Sequence, residues 1–119
     1  MNAPTHRYTK EDWRLYRAVS RFKHDQIGRV NVSVVGGRIS VSYNGTTFFQ
    51  YDPAQDYWRV DSWGNTRPWF VAKVNACLHA INADARAFVE NCGLCVVHVS
   101  GFAAYVVKWF NNRFYTREV

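Results

Sequence analysis

Between Arg29 and Tyr51 the chain reads RVNVSVV, GG, RISVSY, NG, TTFFQY. These are three runs in which apolar and polar residues alternate, joined by two-residue links. Alternation at period two places the apolar side chains on one face of a strand. Gly-Gly and Asn-Gly are the dipeptides that type I′ hairpin turns demand. A fourth run, YWRVDSW, follows the DPAQD turn at Asp52–Asp56. An antiparallel meander is therefore expected here, and whatever else the chain forms has to cover its apolar face.

Two helices are expected to do so. TKEDWRLYRAVSRFKH (Thr9–His24) opens with Thr9 followed three residues later by Asp12, the spacing of a capping box. Acidic Glu11 and Asp12 also suit the positive end of the helix dipole. The helix is expected to run to His24 or Asp25 and to stop at Gly28. At about 100° per residue, Leu15, Ala18, Val19 and Phe22 share one face. The second helix opens at GNTRPW, with Asn65 or Thr66 as cap and Pro68 in the first turn. Its core face is expected to carry Phe70, Val71, Val74, Cys77, Leu78 and Ile81.

Beyond Ile81 two readings compete. NADARAFVENCG either continues the helix to Gly93 or breaks at Asn82–Asp84, with RAFVE pairing with LCVVHV across NCG. The break is preferred. LCVVHV, AAYVVKW and RFYTRE then read as strands, joined at Ser100-Gly101 and Asn111-Asn112. The expected fold class is α+β: an antiparallel β-sheet meander packed against one long helix, with a peripheral basic amphipathic N-terminal helix. At 119 residues the expectation is a single domain, 1–119.

No apolar run is long enough to span a membrane. MNAPTHRYTKED lacks the apolar core of a secretory leader, so the sequons at Asn31 and Asn44 read as chance matches. Three cysteines, Cys77, Cys92 and Cys95, are an odd number without an export signal. The expected location is therefore the cytoplasm, with free thiols.

Catalytic and metal chemistry find little support in these residues. CGLC (Cys92–Cys95) has the spacing of half a zinc site or of a redox pair. The natural second zinc pair, Cys77 and His79, points in nearly opposite directions on its helix. A zinc-deaminase site would need a general-base Glu, which is missing, and a Pro where Asn91 stands. A thioredoxin-like motif would precede a helix, and here a strand follows. Buried structural thiols are the preferred reading of Cys92 and Cys95, which stay the only metal candidates. His6, His24, His79 and His98 are scattered, and His98 alternates with Val97 and Val99. Asp52, Asp56 and Asp61 bracket a turn and read as turn formers and solvated charges. No Gly loop precedes a helix to cradle phosphate. The chain is expected to be no enzyme and to need no cofactor.

The charge distribution is more informative. Of a net +6, residues 1–29 hold seven basic against three acidic side chains, residues 30–107 are balanced, and the remainder carries +2. On the first helix, Lys10, Arg14, Arg17, Arg21 and His24 fall on one stripe, flanked by Trp13 and Tyr16. Exposed helices ordinarily mix signs to gain i,i+4 pairs, and no acidic residue shares this stripe. With Phe48, Tyr57, Trp58, Trp63, Trp109 and Tyr115 added, cations and aromatic rings together are the ingredients of phosphate neutralisation and base stacking. The RNP sequence of an RRM is absent.

The section YNGTTFFQYDPAQDYWRVDSWGNTRPWFVAKVNACLHAI, followed by YVVKWFNNRFY, resembles in layout small phage-encoded proteins. These place an aromatic meander, a polar turn, one capped helix and an aromatic hairpin in this order. The resemblance implies a mobile-element origin and a role in binding host machinery or nucleic acid, and it implies no active-site residue. The expected function is a basic, non-enzymatic binding protein that inhibits or modulates a host nucleic-acid-processing complex (defence, transcription or replication). Its contact residues would be Lys10, Trp13, Arg14, Tyr16, Arg17, Arg21 and His24. Its partner would be a host protein or protein–nucleic-acid complex, and no membrane. The alternatives are direct binding of single- or double-stranded DNA or RNA, and a C-x-x-C metal or redox protein.

Overall fold

Asn44 and Gly45 both hold positive φ, at 49° and 83°, as do Gly36 and Gly37. These left-handed pairs turn the chain tightly enough that each hairpin begins pairing at once. The structure is a computed structural model that describes residues 8–61, 63, 65–83, 85–90, 93–100, 103–107 and 113–115. Strands β1 (Asp25–Ile27), β2 (Val30–Val35), β3 (Arg38–Tyr43), β4 (Thr46–Asp52) and β5 (Tyr57–Asp61) run antiparallel in sequence order. The register sets Val32 opposite Val41, Val41 opposite Phe49, and Phe49 opposite Val60. This row is buried along its whole length. Pairing shifts between Val41 and Ser42, so that β4 carries one extra residue. That bulge lets adjacent Phe48 and Phe49 both be buried, which strict alternation would forbid. The four expected strands are all present, in the expected meander.

Helices α1 (Lys10–Ser20) and α2 (Pro68–Ala80) pack against each other, α1 also touching β1 and β2, and α2 touching β4. The architecture is α+β. At the start of α1 the capping box is formed: the Thr9 hydroxyl accepts from the Asp12 N–H at 3.2 Å, and the Asp12 carboxylate accepts from the Thr9 N–H at 3.0 Å. Leu15, Ala18 and Val19 are buried. Removing Leu15 and Val19 from water stabilises the packing by about 1.5–3 kcal/mol each.

The far end of α1 departs from expectation. The helix stops at Ser20, not at His24 or Asp25, and Gly28 belongs to a later turn. Phe22 takes φ 50°, while the Phe22 N–H reaches the carbonyl of Val19 and the Lys23 N–H reaches that of Ala18. That is a Schellman motif, with phenylalanine in the position where glycine is usual. Its ring packs edge-on against Tyr51, with centroids 6.0 Å apart, and this burial offsets the cost of a left-handed backbone. The chain then turns back to form β1, a strand absent from the sequence reading, which pairs with β2 through Ile27 and Val30.

Helix α2 ends in the same way. Asn82 takes φ 55°, its N–H reaches the carbonyl of His79, and the Ala83 N–H reaches that of Leu78. The preferred break is thus observed at Asn82 and Ala83, while Asp84 lies outside the described residues. Strand β6 (Ala85–Glu90) pairs with β7 (Gly93–Ser100), and β7 with β8 (Ala103–Val107), in a separate sheet. At the start of α2 the N-cap is Arg67, with Pro68 first in the helix. Asn65, two residues before the cap, contributes through its Oδ1, which accepts from the Arg67 N–H at 3.0 Å.

Helix α2 was expected to show one apolar face. Instead every residue from Phe70 to Leu78 is buried, because α1, β4 and β6 all pack on it. A final strand, β9 (Arg113–Tyr115), joins the first sheet beside β5 and does not extend the β6–β8 sheet.

Candidate binding surface

The early end of α1 redistributes the basic stripe. Lys10, Arg14 and Arg17 lie on the helix, Arg21 is its C-cap, and His24 falls beyond it. All five are exposed. The stripe is also not free of acid. Because the chain doubles back after Phe22, Asp25 comes to face Arg14. The guanidinium grips it at 2.8 Å and 2.6 Å through Nε and Nη2. That bond holds the Asp25 carboxyl below its ordinary range and raises Arg14 above its own. Arg14 is thereby committed to tethering β1 to α1. Lys10, Arg17 and Arg21 have no carboxylate partner among the described residues.

One edge of the stripe is built from rings. Trp13 is 43 % exposed. Tyr8 meets it edge-on at 4.9 Å and Tyr16 at 5.5 Å, and Tyr16 lies on His79 of α2 at 4.7 Å. Edge-to-face contacts of this kind are favourable, so the Trp13 indole is braced by two neighbouring rings while remaining partly exposed. The backing has a cost. The Tyr8 hydroxyl and His79 Nδ1 are buried and find no hydrogen-bond partner among the described residues. Burial, with Cys77, Asp12 and Tyr16 nearby, pushes the Tyr8 phenol well above its usual range.

The remaining residues singled out in the sequence have structural roles where they are described. Phe48 and Trp58 are core residues, which removes them from any stacking platform. Trp63 is exposed, and its indole N–H donates to the Thr47 carbonyl at 2.7 Å. Asp52 pairs with Arg38 at 3.1 Å and accepts from the Ala54 N–H, and Asp61 pairs with Arg59 at 3.0 Å. Cys77 is fully buried, which drives its thiol far above the ordinary range. Cys92, Trp109 and His6 lie outside the described residues, while Cys95 is placed in β7 opposite Phe88 by its backbone alone. Among the described residues no cluster of His, Cys, Asp or Glu could hold a metal ion. Nor is any helix there long and apolar enough to cross a membrane.

Two features escaped sequence reasoning. Lys73, midway along α2, is buried with its ammonium 3.0 Å from the capping carboxylate of Asp12. Asn75, two residues on, both donates to and accepts from the backbone of Ala87, at 2.9 Å and 2.8 Å. Beside this polar floor opens a cavity of about 1110 Å³ between the start of α1, the β1–β2 turn, α2 and β6. Its walls come from five segments distant in sequence, Tyr43 of β3 included, so no local pattern announces it. Comparison with protein-family models, curated proteins and solved structures gave no match to this chain.

Proposed function

We propose that the protein is a small, basic, non-enzymatic binding protein that docks the outer face of α1 on a polyanionic surface. The partner class we favour is a host nucleic-acid-processing complex in the cytoplasm, which the bound protein inhibits or modulates. One observation carries this reading. Lys10, Arg17 and Arg21 are exposed cations without a carboxylate partner among the described residues, near an exposed indole, Trp13, that contacts the Tyr8 and Tyr16 rings. A fixed aromatic anchor beside cations is the composition of an interface hot spot. Arg17 and Arg21 can also contact phosphate or carboxylate in bidentate fashion. Direct binding of DNA or RNA by the same face is the second reading, favoured by the same cations and distinguished by salt dependence.

The test is a triple charge reversal, Lys10→Glu, Arg17→Glu and Arg21→Glu. Arg14 is left alone because it holds Asp25. Helix content by circular dichroism should be retained, since all three residues are exposed. Capture from host lysate, with and without nuclease, should yield a nuclease-resistant partner with wild type and lose it with the variant. Anisotropy titration of labelled oligonucleotides across salt then separates the readings. Steep log–log salt dependence with purified protein favours direct nucleic-acid binding. A variant that retains its partner at wild-type affinity would refute both.

A further inference from the structure

The cavity between α1, the β1–β2 turn, α2 and β6 has its own chemistry, separate from the outer face of α1. One wall carries Trp69, 38 % exposed, with the Tyr43 ring 4.8 Å away and tilted 41° from it. Phe88 and the apolar side chains of Ile27 and Val71 also line it. Arg29 and Arg86 line it too, and neither has a carboxylate partner among the described residues. Lys73 is in the lining, nine-tenths buried, with one of its three donors bonded to Asp12. A buried ammonium needs acceptors for its remaining protons. Two carboxylates share the space. Asp12 is consumed by Lys73 and by the Thr9 N–H, leaving Glu11 at the rim beside Gly28 as a hydrogen-bond acceptor.

This donor set selects its ligand. Among the described residues the charges left without an ion-pair partner are Arg29 and Arg86 against the single carboxylate of Glu11, a net cationic balance that asks for an anion. The exposed indole offers a stacking face for a planar ring. The volume is far beyond that of an isolated ion and fits an organic ligand. Glu11 offers an acceptor for hydroxyl or amino groups. We infer that this cavity is a binding site for a small planar aromatic anion of the nucleoside monophosphate class, its ring against Trp69 and its phosphate toward Arg29 and Arg86.

The experiment titrates adenosine 5′-monophosphate and guanosine 5′-monophosphate into the full chain, followed by calorimetry and tryptophan fluorescence. The matching nucleosides and inorganic phosphate serve as comparators. The expected result is saturable binding at one site per chain below about 1 mM, with nucleoside and phosphate each weaker by about tenfold or more. Arg29→Gln and Arg86→Gln should each weaken the nucleotide several-fold and leave the nucleoside unchanged. Trp69→Phe should keep most of the affinity, while Trp69→Ala should weaken nucleotide and nucleoside alike. The Lys10, Arg17 and Arg21 triple reversal should bind nucleotide as wild type does, so failure of the α1 reading would leave this one standing. The site is overturned if no nucleotide saturates, if phosphate alone binds as tightly as the nucleotide, or if both arginine variants bind it unchanged while folded.

Discussion

The ammonium of Lys73 sits 3.0 Å from Asp12 Oδ1, joining α2 to the first turn of α1 across 61 residues of sequence. The other carboxylate oxygen closes the capping box with the Thr9 N–H. One buried carboxylate therefore starts one helix and docks it on the other. Asp12 is 2 % exposed and Lys73 9 %, so neither charge has ready access to water if its partner is lost.

Lys73→Met should accordingly destabilise the fold by about 3–5 kcal/mol, the usual result of leaving one buried charge uncompensated. Adding Asp12→Asn keeps an acceptor for the Thr9 N–H and removes the charge. The double variant should recover most of the loss, because two buried charges replaced together cost little. Urea unfolding of the two single variants and the double variant measures this. Equal destabilisation by the single and double variants would show that the pair is not the cause.

Asn75 attaches the β6–β7 hairpin to the body of the fold by imitating a strand, bonding both backbone groups of Ala87. Asn75→Ala leaves a buried N–H and a buried carbonyl unpaired, each costing about 1–3 kcal/mol. Hydrogen exchange should show the Ala87 amide losing protection first. Amides of β2 and β3, which lie in the other sheet, should change only with global stability.

Much of this fold was legible because its signals are local. Asn44-Gly45 and Gly36-Gly37 name their own turns, Thr9 and Asp12 name their own cap, and the alternation of Val30, Val32 and Val34 names its buried face. The errors came where a tertiary contact outweighed local chemistry. Phe22 takes a glycine's backbone conformation because its ring finds Tyr51. That early stop folds Asp25 back onto Arg14, so a stripe that is purely basic along the helix acquires an acid from outside it. Lys73 and Asn75 fall outside the apolar face expected of α2, yet both are buried, where partners 61 and 12 residues away meet them. The ring cluster behind Trp13 was half legible. Trp13 and Tyr16 flank the stripe in the sequence pattern itself, but Tyr8 and His79 reach them only in three dimensions.

The two helix ends form a matched pair of tests. Asn82 tolerates the left-handed region but still carries a Cβ, so Asn82→Gly should be neutral or stabilising by up to about 1 kcal/mol. Phe22→Gly gains the same backbone relief but removes a half-buried ring from Tyr51. Losing that ring should outweigh the relief, giving net destabilisation on the order of 1–2 kcal/mol. Thermal unfolding of both variants decides it. If Phe22→Gly is as benign as Asn82→Gly, the ring does not hold the turn.

Stability should fall on the alkaline side because two buried acids keep their protons only in the folded chain. Burial raises the Cys77 thiol and the Tyr8 phenol well above their ordinary values, while in the unfolded chain they ionise near about 8.5 and about 10. Between those values and their folded ones the native state holds more protons than the unfolded state. Unfolding therefore releases protons, and stability declines as pH rises, by about 1.4 kcal/mol per pH unit per group. Below about pH 8.5 both states are protonated at these sites and the contribution is flat. Urea unfolding from pH 7 to 11 should show the decline beginning near the thiol value and steepening near the phenol value. Tyr8→Phe should remove the later part and, by deleting a buried hydroxyl without a partner, should leave neutral-pH stability equal or higher. Cys77→Ala should flatten the early part even though it lowers stability throughout by opening a cavity. Mass-spectrometric mapping of alkylation offers an independent check, with Cys77 modified in the native chain only at the rate of unfolding. Rapid native modification of Cys77, or a Tyr8→Phe profile parallel to wild type up to pH 11, would show that these groups are not shielded as their burial requires.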